Sequence, residues 1–253
     1  MKSNGGMLTG LFFGGVLGSV LGGLAAAASA PADELPFEGE CVVLLHGMAR
    51  TANSMNVLAN GLSSAGYRVE NVDYPSREFD IESLASFAVD DGLARCGDAT
   101  KVHFVTHSLG GILLRVSFRE TLPANLGRVV MLGPPNQGSE IVDALGEFPG
   151  FEFINGPAGK MLGTGPEDLP ANLPEVSFDL GVIAGTRSIN PLLSRYLPDP
   201  DDGKVSVAST RVEGMRDFVA LPVTHTFMMR DAEVIRAVVH FLAEGRFPRY
   251  EIE

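Results

Sequence analysis

The sequence predicts an α/β fold: a mostly parallel, doubly wound sheet of about six strands flanked by helices. Three observations carry that prediction. Short apolar, β-branched runs alternate along the chain with longer stretches of helical periodicity, a pattern that joins parallel strands through helical crossovers. One run, Val102–Thr106, passes through His107-Ser108 into Leu109-Gly110-Gly111 and an amphipathic stretch, so strand, tight turn and helix follow without a break. The 253 residues, 45% hydrophobic and 20% charged, suffice for a single α/β core.

Taken in order, Cys41–His46 is a continuous apolar strand that ends in His-Gly. Ser54–Ala65 reads as a helix, with Leu58 and Leu62 four apart and Gly66 as its stop. Tyr67–Tyr74 is a strand closed by Pro75-Ser76. Ile81–Cys96 is a helix that turns Leu84, Phe87, Ala88 and Leu93 inward. Val102–Thr106 is the strand before Ser108, and Ile112–Glu120 the helix after it. Arg128–Leu132, Gly181–Gly185 and Phe218–Leu221 supply the remaining strands, and Ala232–Glu244 closes the chain as a helix. Right-handed crossovers place the carboxyl end of every strand on one edge, where sites of such sheets form. His46, Ser108 and the loop after Leu132 fall on that edge.

Residues 1–30 read as a targeting or anchoring segment. Lys2 is the only charge, residues 7–27 are almost wholly apolar or glycine, and Ala25 to Ala30 resemble a cleavage zone. Cleavage makes this a signal peptide. Against it, Gly10, Gly14, Gly18 and Gly22 form a stripe that suits a retained membrane anchor. Either reading puts the domain, residues 31–253, outside the cytoplasm: periplasmic, secreted or membrane-anchored. The net charge of −12 disfavours nucleic acid as a partner. Cys41 opens the first strand and Cys96 precedes the third; if those strands are neighbours, the two can form a disulfide. Nothing with metal-ligand spacing surrounds either cysteine, so no metal is expected.

Residues 139–178 form a long Gly- and Pro-rich connection that carries Phe148, Phe151, Phe153, Ile154, Met161 and Leu162. Connections of this length are often functional, and the expectation is a cap or lid beside the active edge.

A serine nucleophile needs a base. Of five histidines, His46 flanks a strand end, His103 lies inside a strand, His107 is held by the turn itself and His240 lies in a helix. His225 remains, in the loop Pro222-Val223-Thr224-His225-Thr226. A carboxylate must orient that base. Asp202 is favoured, because the following Gly203 frees its side chain to turn inward, with Asp199 and Asp201 as rivals. Backbone amides of Met48 and Leu109 are the candidate oxyanion donors.

Residues 41–245 resemble the α/β-hydrolase fold serine hydrolases, in particular bacterial lipases and esterases. His46-Gly47 is similar to that family's oxyanion segment, and Thr106-His107-Ser108-Leu109-Gly110 to its nucleophile elbow, with threonine where glycine is usual. Gly133-Pro134-Pro135-Asn136-Gln137-Gly138-Ser139 is similar to a segment of many of its lipases. The order Ser108, Asp202, His225 is the family's order. The resemblance implies a cofactor-free serine hydrolase acting on carboxylic esters, lipid esters foremost, through an acyl-enzyme. Acyltransferase, thioesterase or amidase chemistry on the same residues stays open, as does a non-catalytic binding module; the oligomeric state is not readable.

Overall fold

The computed structural model describes residues 39–249. The apolar segment 7–27 and the cleavage zone lie outside the described residues, and no helix within them is long and apolar enough to cross a membrane.

The elements run β1 (Glu40–Leu45), α1 (Asn56–Ser64), β2 (Arg68–Val72), α2 (Ile81–Ala85), α3 (Asp91–Cys96), β3 (Lys101–His107), α4 (Leu109–Ser117) and β4 (Leu126–Leu132). Then come α5 (Glu140–Leu145), α6 (Phe151–Lys160), α7 (Leu169–Asn172), β5 (Leu180–Gly185), α8 (Pro191–Ser194), β6 (Asp217–Leu221) and α9 (Ala232–Glu244). The strands form one six-stranded sheet in the order β2-β1-β3-β4-β5-β6, every neighbouring pair parallel. The family-level expectation of a doubly wound α/β sheet therefore holds.

Strand alternation explains the two faces. Cys41, Val43 and Leu45 of β1, with Phe104 and Met131, pack with α2, α3 and α4 in one core. Val42, Leu44, Val105, Val130 and Leu132 point the other way and pack against Leu58 and Leu62 of α1 and Val234, Val238 and Phe241 of α9. Burial on both faces is why the strands read as unbroken apolar runs.

Several boundaries differ from the sequence reading. The helix after Ser108 starts at Leu109, not Ile112, because both glycines join its first turn. The stretch Ile81–Cys96 is helical throughout but contains a π turn at Ser86–Asp90, which leaves Phe87 exposed rather than inward. A 3-10 turn at Ala52–Met55 leads into α1. The short helix α8 begins with Asn190 capping Leu193 and proline at its first position; that signal stands in the sequence but spans only four residues.

β1 and β3 are neighbours, and Cys41 and Cys96 are joined by a disulfide with Cα atoms 5.8 Å apart. It closes a loop across 55 residues, worth roughly 4 kcal/mol in the chain-entropy account.

β1 lies between β2 and β3, so the chain reverses its winding there. The crevice beyond the carboxyl ends of β1 and β3 is the place where sheets of this kind bind ligands. Met48 follows β1 and Ser108 follows β3.

Candidate active site

Ser108 stands between β3 and α4 with φ 53° and ψ −119°, a backbone conformation costly for any residue with a Cβ. Its N–H donates to Leu132 O at 2.9 Å and its carbonyl accepts from Gly111 N at 3.0 Å, so the strained turn is tied on both sides. Among the described residues the other non-glycine residue with positive φ is Ala49, at 54°. Both border a cavity of about 400 Å³ that is also lined by Met48, Arg50, His107, Ile154, Lys204 and His225. Strain at two loops that meet on one cavity is a mark of a functional site.

Close approach explains the glycines of the elbow. A Cβ on Gly110 would lie 2.8 Å from Leu45 O and 3.0 Å from His46 O, so α4 can pass β1 only with glycine there. Thr106, the bulky residue two before the serine, finds its space at Gly111. A Cβ on Gly111 would meet Thr106 Oγ1 at 3.3 Å and Met131 Sδ at 3.1 Å. The second glycine after the serine thus accommodates the threonine before it. Gly47 brings the β1 loop against the elbow; a Cβ there would stand 2.7 Å from His107 Nδ1 and 3.2 Å from Ser108 Cβ.

The structure brings Ser108, His225 and Asp202 together. His225 Nδ1 lies 2.7 Å from Asp202 Oδ2, and its Nε2 lies 3.0 Å from Ser108 Oγ. With Nδ1–H donated to the carboxylate, Nε2 accepts the serine hydroxyl. Asp202 Oδ1 accepts from the amides of Lys204 at 3.0 Å and Val205 at 2.8 Å. His225 N–H also donates to Asp202 O at 3.0 Å, so the two residues are joined through backbone as well as side chain. Both residues are buried.

The two rival aspartates stand elsewhere. Asp201 Oδ1 accepts from the Ser194 hydroxyl at 2.8 Å and from Gly203 N at 2.6 Å, shaping the turn that presents Asp202. Asp199 precedes a cis peptide to Pro200 and borders a different cavity, lined also by Ser194 and Asp201.

The remaining histidines have other hydrogen-bond partners than Ser108. His46 donates from Nδ1 to Gly47 O at 2.9 Å, accepts from Tyr74 N at 3.3 Å and stacks on the Tyr74 ring at 4.0 Å. His103 contacts Glu40 at 3.1 Å and accepts from Arg128 N at 2.8 Å. His240 donates to Arg246 O at 2.8 Å. His107 donates from Nε2 to the carbonyl of His225 at 3.0 Å. Burial, and then the neighbouring His225, push His107 well below the ordinary imidazole value.

Leu109 is the first residue of α4, so its amide is among those with no carbonyl partner inside the helix. Met48 lines the cavity with Ser108, on the loop held by Ala49 N donating to Ser76 Oγ at 3.1 Å.

The 139–178 connection holds α5, α6 and α7. Of its apolar set, Ile154 borders the cavity while remaining 59% exposed, Phe148 and Phe153 are exposed, and Leu162 is buried. Arg50 and Lys204 also border the cavity and carried no sequence signal of their own. They become visible only once the β1 loop and the Asp202 loop are folded against each other.

The sequence model of the alpha/beta hydrolase family matches residues 42–249. Among solved structures, the mature form of lipase BlEst2 from Bacillus licheniformis is similar at 20% identity and a TM-score of 0.63, over 79% of this chain and 89% of that one. Phospholipase PlaB from Legionella pneumophila is similar at 21% identity and a TM-score of 0.57, over 81% of this chain but 57% of that one. Lipase B from Aspergillus fumigatus is similar at 15% identity and a TM-score of 0.59, over 81% of this chain and 52% of that one. These likenesses are of fold. No curated protein sequence matches the chain.

Proposed function

We propose that this chain, which belongs to the alpha/beta hydrolase family, hydrolyses carboxylic esters through an acyl-enzyme on Ser108. One observation carries the reading: His225 bridges Ser108 Oγ at 3.0 Å and Asp202 Oδ2 at 2.7 Å. That chain of hydrogen bonds is what a neutral hydroxyl needs to become a nucleophile.

In this account Ser108 Oγ attacks the acyl carbon while its proton passes to His225 Nε2. Asp202 holds Nδ1–H and stabilises the imidazolium. The oxyanion of the tetrahedral intermediate is held by the amides of Leu109 and Met48, each donor worth about 3–4 kcal/mol in the transition state. Collapse expels the alcohol, which takes the proton from His225. Water, deprotonated by the same nitrogen, then attacks the acyl-enzyme and frees Ser108.

Lipid esters are the substrate class best supported. Phe148, Phe153 and Ile154 expose apolar surface on the 139–178 connection, and Ile154 borders the cavity. That connection acts as a cap whose apolar rim meets the acyl chain. The names of the similar lipases and the phospholipase agree with this class. The apolar segment 7–27 and the Cys41–Cys96 bond support work in an oxidising compartment outside the cytoplasm.

The test is a series of aryl esters of increasing acyl length, with the Ser108→Ala protein beside the parent. The reading expects parental turnover that rises towards longer acyl chains and background rates from the variant. Equal rates from both proteins would overturn it.

A further inference from the structure

The chain has 31 Asp and Glu against 19 Lys and Arg, yet the residues lining the Ser108 cavity include no carboxylate. Among the described residues that line it, the permanently charged ones are Arg50 and Lys204, both cations. They come from two different loops. Arg50 follows β1 and donates from Nη2 to Thr226 O at 3.1 Å, which fixes it beside the base loop. Lys204 follows Asp202, on the loop that holds the acid.

Neither cation makes an ion pair among the described residues. Asp202, two residues before Lys204, has its two carboxylate oxygens taken by His225 and by the amides of residues 204 and 205. Lys204 is exposed to solvent; desolvation and then the Arg50 guanidinium lower it from the ordinary lysine value, with Asp202 pulling the other way. Arg50 is lowered in turn by burial and by Arg230. Two cations lining one cavity that holds no carboxylate, neither with an ion pair among the described residues, favour an anion there.

We propose that Arg50 and Lys204 form an anion subsite in the Ser108 cavity, and that the ester taken there carries a phosphate group. Two cations match a phosphate monoester, which carries about −1.5 to −2 charges at neutral pH, better than a single carboxylate. A planar guanidinium fork and a compact ammonium lining one cavity suit an oxygen-rich tetrahedral group. The subsite rests on the ester-hydrolase reading of Ser108 and adds to it the charge of the substrate.

The experiment compares two monomeric esters with the same acyl groups, dihexanoyl phosphatidic acid and dihexanoylglycerol. The readout is the ratio of their kcat/KM values in the parent, Arg50→Gln, Lys204→Gln and Lys204→Arg proteins. A ratio cancels any general loss of catalytic power in a variant. The subsite predicts a fall of about tenfold or more in both glutamine variants and recovery in Lys204→Arg. Ratios within twofold of the parent in both glutamine variants would overturn it while leaving the ester reading standing. Should Arg50→Gln fail to fold without its tie to Thr226, the Lys204 pair decides alone.

A second arm measures binding without chemistry, using Ser108→Ala protein titrated with dihexanoyl phosphatidic acid and with inorganic phosphate. Weaker binding of the lipid after Lys204→Gln supports the subsite even if neither ester is turned over, the outcome that would sink the ester reading instead. Competition by inorganic phosphate assigns the subsite to phosphate as such, and its failure to compete assigns it to a lipid headgroup. Unchanged lipid binding after Lys204→Gln contradicts the proposal.

Discussion

His107 Nε2 donates to the backbone carbonyl of His225 at 3.0 Å, so the residue beside Ser108 holds the loop that carries His225. The two rings also lie 4.8 Å apart. This couples elbow and base loop directly, independent of the Ser108–His225 contact.

Removing that donor should loosen the base without removing it. His107→Phe keeps the ring volume and loses the hydrogen bond; we expect kcat to fall about tenfold with little change in KM. His107→Gln, which can still donate, should retain more of kcat. Steady-state kinetics of the two variants on one aryl ester checks this, and equal losses in both would assign His107 to packing alone.

Burial holds His46, His103 and His107 below the ordinary imidazole value of 6.5. Below that pH the unfolded chain binds more protons than the fold does. Stability is therefore full above 6.5 and declines as pH falls through it, by up to about 1.4 kcal/mol per unit for each histidine. Melting temperatures between pH 7.5 and 5.5 should drop steadily, and less steeply for His107→Gln. A flat profile would contradict the tautomers assigned to these rings.

Adjacent aspartates should separate cleanly. Asp202→Asn leaves the fold intact but presents the wrong tautomer of His225, and kcat should fall by about three to four orders of magnitude. Asp201→Ala breaks the bonds to Ser194 and Gly203 and should cost about 1–2 kcal/mol of stability with a far smaller kinetic effect. Paired melting and rate measurements decide between them.

Elbow packing makes a prediction of opposite signs. Thr106 Oγ1 is buried without a hydrogen-bond partner, so Thr106→Val should be neutral or stabilise by about 1 kcal/mol. Gly110→Ala drives a methyl group into Leu45 O and should destabilise by about 3 kcal/mol or prevent folding. Denaturant unfolding of the two variants measures both. A stabilised Gly110→Ala would contradict the close approach of α4 to β1.

Much of this was legible in the chain because the informative features are local. The strands are buried on both faces and so read as unbroken apolar runs, and the elbow is contiguous from Val102 to Gly111. The serine, the histidine and the Asp202 turn each carry a short-range signature of strand end or loop. What stayed hidden depends on distant segments meeting. Gly111 explains Thr106 only when α4 lies against β3. The π turn that exposes Phe87 does not break the helical periodicity of residues 81–96 enough to be read. Arg50 and Lys204, more than 150 residues apart, look like ordinary surface cations until two loops close on one cavity.

The central claim is that Ser108 is a nucleophile made reactive by His225 and Asp202. A fluorophosphonate probe tests it most directly, with mass spectrometry of the peptide that contains residue 108. The account predicts one adduct on Ser108 in the parent, no adduct in Ser108→Ala, and labelling slowed by orders of magnitude in His225→Gln and Asp202→Asn. An unlabelled parent, or labelling that proceeds at the parental rate in His225→Gln, would contradict it.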